Sequence, residues 1–419
     1  MRVWLRTFGC RANHYDTEAV RGMIEVAGHE IVDDPACADL AVFNSCAVTG
    51  EAQADLRQAV RRAARANPRL SSAVMGCVGA LDDPAASASL RTLPTVDRVI
   101  AGADLPAIAE LLALDAVPAG VRTRHQGTTR AVLRVQDGCD ERCTFCATRL
   151  ARGANRSRAI PELIAEAQAL AEHHPEIVIT GIHIGTYGHE AGSSLGVLLA
   201  ALVHAVPRVR FRLSSIEATE IDDRLAEYLT GDPTRVAPYL HAPLQSGSNR
   251  VLRRMGRHWY TAERYAAAIE RLVAGGTPFG VGADVIAGFP GETDADHAAT
   301  CALIERLPFT GLHVFPYSSR PGTAAERLAG QVPPAVGARR ARELRALGAA
   351  KVSAYEARRV DGRCDVIAMG PDRAGQRAGL TEDYLEVAVR DPRIVRGDRF
   401  SGILRRRGAA LVAEPVHPS

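Results

Sequence analysis

Lysine is nearly missing from this chain. Of its 51 Lys and Arg residues one is a lysine, Lys351, and the rest are arginines, a bias that reads as base composition of the gene rather than as function. A large excess of either charge is missing too: a net charge of +3 leans only mildly toward an anionic partner. Arginine suits such a partner, because its planar fork pairs bidentately with phosphate. No apolar stretch reaches the roughly 18 residues that a membrane span needs. The opening residues, MRVWLRTFGC, lack the apolar run of a secretory signal. The expectation is a cytoplasmic protein with no membrane partner. In that compartment cysteines bind metal or react more often than they form disulfides. The odd count of nine points the same way. With 419 residues the chain is long enough for two or three domains and a sizeable core.

What is present is an ordered set of cysteines. Cys139, Cys143 and Cys146 form a tight C-x3-C-x2-C loop, while Cys10, Cys46 and Cys77 lie far apart. Three thiolates suit a four-iron, four-sulfur cluster with one iron left open, because complete ligation takes four. An open iron can hold a substrate or cofactor. No histidine neighbours the compact loop in sequence to complete a zinc tetrahedron. Cys37, Cys301 and Cys364 have no spacing partner and read as structural.

Residues 1–115 alternate strand and helix: strands at Arg2–Leu5, Asp39–Phe43 and Ser72–Met75, helices from about Asp16 to Ala27 and Glu51 to Ala66. Such alternation predicts an open parallel sheet covered by helices. Cys10, Cys46 and Cys77 each follow one of the strands. The carboxyl ends of parallel strands share one edge, so the three fall on a common rim. Residues 116–130 read as a linker. From Ala131 the pattern restarts, with strands predicted at 131–136, 177–181, 209–215, 237–241, 281–287 and 311–315. Six βα repeats over 131–358 predict a partial (β/α) barrel, with chemistry at the strands' C-terminal ends. The unusual sequences fall there: the cysteine loop, Gly181 with His183, Ser215 with Glu217, Gln245, and Gly288-Phe289-Pro290-Gly291-Glu292. Gly181, Ser215, Glu217 and Gln245 are rim candidates for the polar parts of a cofactor. The glycines of the last motif suit close backbone approach to a nucleoside. His183 and His241 lie near the same rim. A connecting helix is expected over 333–358. Residues 359–419 read as a small β-barrel with runs at Cys364–Ala368, Tyr384–Val389, Phe400–Leu404 and Ala410–Ala413. Its segment Arg393–Arg407 holds six arginines and one aspartate and is expected to present a basic face to nucleic acid. A second basic face is expected from Arg57, Arg61 and Arg65, spaced four apart on a helix, with Arg62 and Arg69 nearby.

The compact loop after the first barrel strand resembles the radical S-adenosylmethionine superfamily, as does Val285–Thr293. Thr7–Asn13, Asn44–Thr49 and Met75–Cys77 resemble the N-terminal domain of the methylthiotransferases. Asp137–Cys139, Arg152-Gly153, Ser157-Arg158, Pro243–Ser248 with Met255, and Phe315–Ser318 with Pro321–Thr323 are similar to that family's core. Gly379–Glu382 and Tyr384–Val387 resemble its small RNA-binding barrel, of the TRAM kind. The resemblance runs from about residue 2 to about 413. It implies two [4Fe-4S] clusters, one on each cysteine triad. The Cys139 loop would generate a radical, and the Cys10/Cys46/Cys77 site would hold or supply sulfur. It implies S-adenosylmethionine as both methyl donor and radical source, an electron donor such as flavodoxin or ferredoxin, and tRNA as partner. Val48-Thr49 is similar to the branch that acts on N6-threonylcarbamoyladenosine at tRNA position 37. Arg149 departs from the family, which usually has proline there, so the local loop path is open.

Three other readings stand beside this one: a methylthiotransferase for isopentenyl-adenosine 37, one for a ribosomal-protein aspartate, and a zinc-stabilised RNA-binding protein without catalysis.

Overall fold

A computed structural model describes residues 1–46, 50–81, 84–118, 125–276, 278–371 and 377–416, with the side chains of 50, 51 and 84–87 left aside. The branch motif at Val48-Thr49 and linker residues 119–124 lie outside the described residues.

The chain begins with β1 (Arg2–Thr7), α1 (Arg11–Val26), β2 (Glu30–Val32), β3 (Leu40–Ser45), α2 (Gly50–Ala66), β4 (Ser71–Gly76), α3 (Cys77–Ala80), α4 (Pro84–Arg91), β5 (Val96–Val99) and α5 (Leu105–Leu111). The strands form a parallel sheet in the order β2-β1-β3-β4-β5. β3 is central and buried along its whole length, as a strand covered on both faces must be. Two hydrophobic clusters separate its faces: Val42 packs with Val20, Met23 and Ile108, and Phe43 with Leu56, Val60 and Val74. The three expected strands are present. β2 and β5, of three and four residues, join them at the edges.

The second region holds β6 (Ala131–Arg134), β7 (Gln136–Asp137), α6 (Thr148–Arg152), β8 (Arg156–Ser157), α7 (Ile160–Ala171), β9 (Glu176–Thr180), α8 (Leu195–Ala205), β10 (Arg210–Leu213) and α9 (Asp223–Thr230). It continues with β11 (Tyr239–His241), α10 (Asn249–Arg254), α11 (Ala262–Val273), β12 (Gly280–Ala287), α12 (Asp294–Arg306), β13 (Gly311–Pro316) and α13 (Pro334–Arg359). β6-β9-β10 and β11-β12-β13 are three-stranded parallel sheets, joined by parallel bridges Phe211–Val236 and Ser215–His241. The result is an arc of six strands in sequence order. Alternate residues face opposite sides of a strand. Leu133, Ile177, Ile179, Phe211, Leu240, Val281, Val285 and Val314 lie in the core shared with the helices. The concave face carries Arg134, Glu176, Arg210, Arg212, Tyr239, His241, Asp284 and His313.

The last region is a closed barrel of β14 (Arg363–Pro371), β15 (Arg377–Thr381), β16 (Glu386–Val389), β17 (Arg399–Arg407) and β18 (Ala410–Pro415). Tyr384, expected to open a strand, instead sits in the β15–β16 turn at φ +74°. That turn plugs the arc from below. The Tyr384 ring stacks on Tyr239 with centroids 4.3 Å apart. Arg212 donates to the carbonyls of Thr381 (3.1 Å) and Glu382 (3.0 Å). Arg210 and Arg212, both wholly buried, share the carboxylate of Glu176. A buried charge needs such partners.

The expected basic face of the barrel is corrected. Arg393 pairs with Asp391, Arg399 with Asp365, Arg405 with Asp361, Arg406 with Glu356 and Arg407 with Glu414. Arg396 donates to Thr129 and the Gly127 carbonyl. Carboxylates from outside the segment, near (Asp391, Glu414) and far (Glu356, Asp361, Asp365), offset the run of arginines. On α2, Arg61, Arg62 and Arg65 are exposed and Arg57 is half-buried; Arg69 is exposed in the turn beyond the helix, and no ion pair engages any of them among the described residues.

Candidate active site with two cysteine triads

The dispersed triad is assembled at the carboxyl edge of the first sheet. Cys46 directly follows β3, Cys77 follows β4, and Cys10 precedes α1. Asn13, buried in the first turn of α1, sits among them. Its Oδ1 lies 3.3 Å from Cys10 Sγ and 3.9 Å from Cys77 Sγ. Its Nδ2 donates to Asn44 Oδ1 (2.9 Å) and the Ser45 carbonyl (2.7 Å), which fixes its orientation. Gly9 has φ +104°, and a Cβ there would meet Cys46 Sγ at 2.8 Å, so only glycine fits beside that thiol. Burial raises the pKa of Cys77, against the pull of nearby Arg152.

The compact triad lies in the loop between β7 and α6. Cys139 N donates to the Gly153 carbonyl (3.0 Å), and Cys146 N to that of Cys143 (3.2 Å). The Phe145 ring packs edge-on against Phe289 at 6.2 Å, pinning the loop to the β12–α12 turn. Arg149 is accommodated within α6, and its carbonyl accepts from Gly153 N at 2.9 Å. Each sulfur meets a donor group: Cys139 Sγ is 3.6 Å from His183 Nδ1, Arg257 Nη1 is 3.7 Å from Cys143 Sγ, and Thr148 N is 3.4 Å from Cys146 Sγ. Burial pushes the Cys143 thiol up to about 12, with Arg257 opposing. His183, placed near the rim by the sequence, is thus a spatial neighbour of the loop though remote from it in the chain. Its Nε2 is engaged by Glu220 at 2.8 Å. Burial alone would lower the pKa of His183, but the hydrogen bonds to Cys139 and Glu220 carry it to about 10.

One side chain ties the triads together. Arg152, at the end of α6, donates to Asn13 Oδ1 (3.4 Å), Asp16 Oδ2 (2.8 Å) and Asp137 Oδ1 (3.2 Å). α6 follows Cys146 and packs on α3, which begins with Cys77. Arg320, buried after β13, lies within electrostatic reach of Cys46. Sequence reasoning singles out neither Arg152, Arg257 nor Arg320 as a cluster neighbour. Among dozens of arginines, only burial beside a thiol marks them.

The rim residues divide. Glu217 is buried and ion-paired to Arg257, which donates to Tyr260 Oη at 2.9 Å, so one carboxylate oxygen is committed to holding Arg257 at Cys143. Its Oε2 is buried without a hydrogen-bond partner, an acceptor left for a ligand. Ser215 is exposed beside β11. Gln245, at φ +61°, is held by its backbone N on the Asp284 carbonyl at 2.8 Å. Gly181 starts a turn pinned by Gln136, whose Oε1 accepts from Ile182 N (2.9 Å) and His183 N (2.8 Å). A Cβ on Gly181 would meet the Gln136 carbonyl at 2.7 Å. The reading of Gly288 and Gly291 as nucleoside contacts is corrected. A Cβ on Gly288 would lie 2.9 Å from Gly337 Cα of α13, and one on Gly291 would lie 2.6 Å from Arg254 Nε. These glycines serve packing within the chain.

Each donor set is three cysteine thiols, the ligand type of iron–sulfur clusters. Among the described residues, the one His, Cys or carboxylate trio whose ligand atoms all lie within 4.8 Å of each other is His241, Asp284 and His313; neither cysteine triad is that tight. A single zinc would draw its sulfurs to roughly 3.8 Å, from Zn–S bonds of about 2.3 Å. Both triads are wider than that single-zinc spacing.

Comparison with known proteins agrees. Residues 2–101 match the uncharacterized protein family UPF0004, and residues 133–304 the radical SAM superfamily. The threonylcarbamoyladenosine tRNA methylthiotransferase MtaB of Bacillus subtilis (strain 168) is 35% identical, over 93% of this chain and 90% of its own. The Thermotoga maritima protein of the same name is 35% identical, over 79% of this chain and 78% of its own. The tRNA-2-methylthio-N(6)-dimethylallyladenosine synthase of Parafrankia sp. (strain EAN1pec) is 34% identical, over 93% and 82%. In fold, the chain is similar to the radical S-adenosylmethionine methyltransferase TsrM from Kitasatospora setae, solved with cobalamin and a [4Fe-4S] cluster (TM-score 0.52, 15% identity, 78% of this chain and 77% of that one). With both halves matched and relatives aligned nearly end to end, the chain belongs to the radical S-adenosylmethionine methylthiotransferase family, on the branch of the threonylcarbamoyladenosine tRNA methylthiotransferases.

Proposed function

We propose that this chain replaces the C2 hydrogen of N6-threonylcarbamoyladenosine at tRNA position 37 with a methylthio group, using two [4Fe-4S] clusters. As a radical S-adenosylmethionine enzyme it uses that cofactor and an iron–sulfur cluster. We assign Cys139, Cys143 and Cys146 as ligands of the radical-generating cluster, and Cys10, Cys46 and Cys77 as ligands of a sulfur-delivering one. The observation that carries the reading is Arg152, which joins the two triads through Asn13 and α6. When bound, the core cluster supplies the electron that cleaves S-adenosylmethionine to the hydrogen-abstracting radical. The chain's residues hold and screen the parts. Glu217 fixes Arg257 against Cys143, which places a positive charge beside a thiolate ligand. Glu217 Oε2, Ser215, Gln245 and the turn at Gly181 line the rim for the cofactor's polar groups. The Tyr384 turn packs on the arc through the stack of Tyr384 on Tyr239.

We divide the chain into a methylthiotransferase α/β domain (1–115), a linker (116–130), a radical core (131–358) and a TRAM-like barrel (359–419). We place it in the cytoplasm, with flavodoxin or ferredoxin as electron donor. Among the described residues no helix is long and apolar enough to cross a membrane. The test is iron and acid-labile sulfide after anaerobic reconstitution, followed by mass spectrometry of nucleosides from treated tRNA. About eight irons per chain and a methylthio derivative of threonylcarbamoyladenosine are expected. Zinc without iron, or product on isopentenyl-adenosine alone, would overturn the assignment.

A further inference from the structure

One group of side chains on the concave face is used by neither triad. His241 Nε2 and His313 Nδ1 approach the same oxygen of Asp284, at 3.0 and 3.2 Å. Burial alone would raise the pKa of Asp284, but the two imidazoles hold it well below the ordinary carboxylate range; the hydrogen bond to Asp284 raises that of His313. Two residues reach this face from other parts of the fold. Tyr384 stacks on Tyr239, whose hydroxyl lies 3.4 Å from His241 Nδ1. Arg11, next to Cys10, donates from Nη2 to Tyr384 Oη at 2.9 Å. Arg11 is half-buried and has no ion pair among the described residues. Its charge is felt at both Tyr239 and His313. Asp284 is taken up by the two imidazoles, which leaves the Arg11 charge without a counter-ion among the described residues. His313 is open, its side chain 68% exposed. Phe315, two residues along the same face, is 41% exposed, with its ring 6.5 Å from that of His313. An exposed aromatic beside an arginine that has no ion pair among the described residues suits a planar base that carries an anionic arm.

We propose that Arg11 and His313, held by Tyr384 and Asp284, form a carboxylate-binding site for the amino-acid arm on the target adenosine, with Phe315 beside the base. The proposal rests on the threonylcarbamoyladenosine reading and gives it a specificity device. The threonylcarbamoyl arm ends in a carboxylate; an isopentenyl arm is apolar and would leave Arg11 without an anionic partner. The same His241–Asp284–His313 trio has the spacing of a divalent-metal site. The positive charge of Arg11 on that face opposes a cation and favours an anion.

The test measures affinity of the full, reconstituted chain for synthetic anticodon stem–loops. These carry threonylcarbamoyladenosine, its carboxamide analogue or plain adenosine at position 37. Wild type should prefer the free carboxylate over the carboxamide by about tenfold to a hundredfold, the scale of a hydrogen bond to a charged group. Arg11→Gln and His313→Gln should each erase most of that preference while binding the plain stem–loop within about twofold of wild type. Arg11→Lys should restore part of it. His313 is remote in sequence from every cysteine in the triads, so its variant reads the site independently of the cluster at Cys10; iron content should stay at the wild-type level. An unchanged preference in both Gln variants, or no preference in wild type, would overturn the proposal. So would stoichiometric zinc or nickel, beyond the reconstituted iron, that disappears in His313→Gln, since the trio would then be a cation site. Loss of the proposal leaves the function intact if wild type still yields methylthio-threonylcarbamoyladenosine. Product on isopentenyl-adenosine alone would remove both.

Discussion

The two cysteine triads present the same three thiols but are built by opposite means. Cys139, Cys143 and Cys146 lie within one loop, closed by its own backbone bonds and by Phe145 against Phe289. Cys10, Cys46 and Cys77 come together only because β1, β3 and β4 are parallel and in register, with Thr7 opposite Asn44 and Ser45 opposite Gly76. The local site requires a loop; the dispersed site requires a sheet. A distributed site costs more long-range order to assemble, but it places its thiols on a wall that faces the second triad across Arg152. Arg152 occupies the seam between the two.

The largest test of this division separates the half-reactions. Cys143→Ala should abolish both 5′-deoxyadenosine formation and methylthio product. Cys46→Ala should retain 5′-deoxyadenosine formation and lose the product. Chromatography of the small molecules alongside tRNA nucleosides reads both. If Cys46→Ala also stops cofactor cleavage, the triads are not independent and the comparison fails.

A smaller effect is expected at the seam. Arg152→Met leaves the carboxylates of Asp16 and Asp137 without their shared cation. Breaking a buried pair costs about 3–5 kcal/mol; the low end applies because Asp16 keeps Arg134. Urea unfolding of wild type and variant measures it, and a loss below about 1 kcal/mol would mean that Arg152 does not brace the seam.

The smallest expected effect compares the two arginine-rich surfaces. Replacing Arg61 and Arg65 on α2 with Gln should flatten the dependence of tRNA affinity on salt. The slope should fall by roughly 0.7–0.9 for each phosphate that is no longer neutralised. Replacing Arg405 and Arg407 with Gln should leave that slope nearly unchanged, because Asp361 and Glu414 already hold them. Stability should change by less than about 1 kcal/mol in that pair, as for exposed ion pairs generally. The reverse result would return the RNA surface to the barrel.

Much of the scaffold is legible in the sequence. β9, β12 and β13 fall within one residue of their expected bounds, and all six cysteines of the triads sit in loops that follow strands or open helices. Periodicity reports burial one element at a time, which is why long strands stand out while β2, β5 and β15 do not. The misreadings are relational. Gly288 reads as facing a nucleoside because its tightness shows in sequence, whereas the identity of its neighbour, Gly337, does not. Arg393–Arg407 reads as a free basic face because its carboxylate partners lie mostly elsewhere in the chain.

The sequence by itself determined the grouping of the cysteines, the βα order and the family, since spacing and hydrophobic alternation are local properties of the chain. Tertiary structure alone decided that Arg152 links the triads, that Glu217 serves Arg257, that His183 meets Cys139, and that Arg11, His313 and Tyr384 share one face. Electrostatic and hydrogen-bond partnership depends on distance in space and on exclusion of water. Residues that far apart along the chain acquire both only when the strands and the barrel pack.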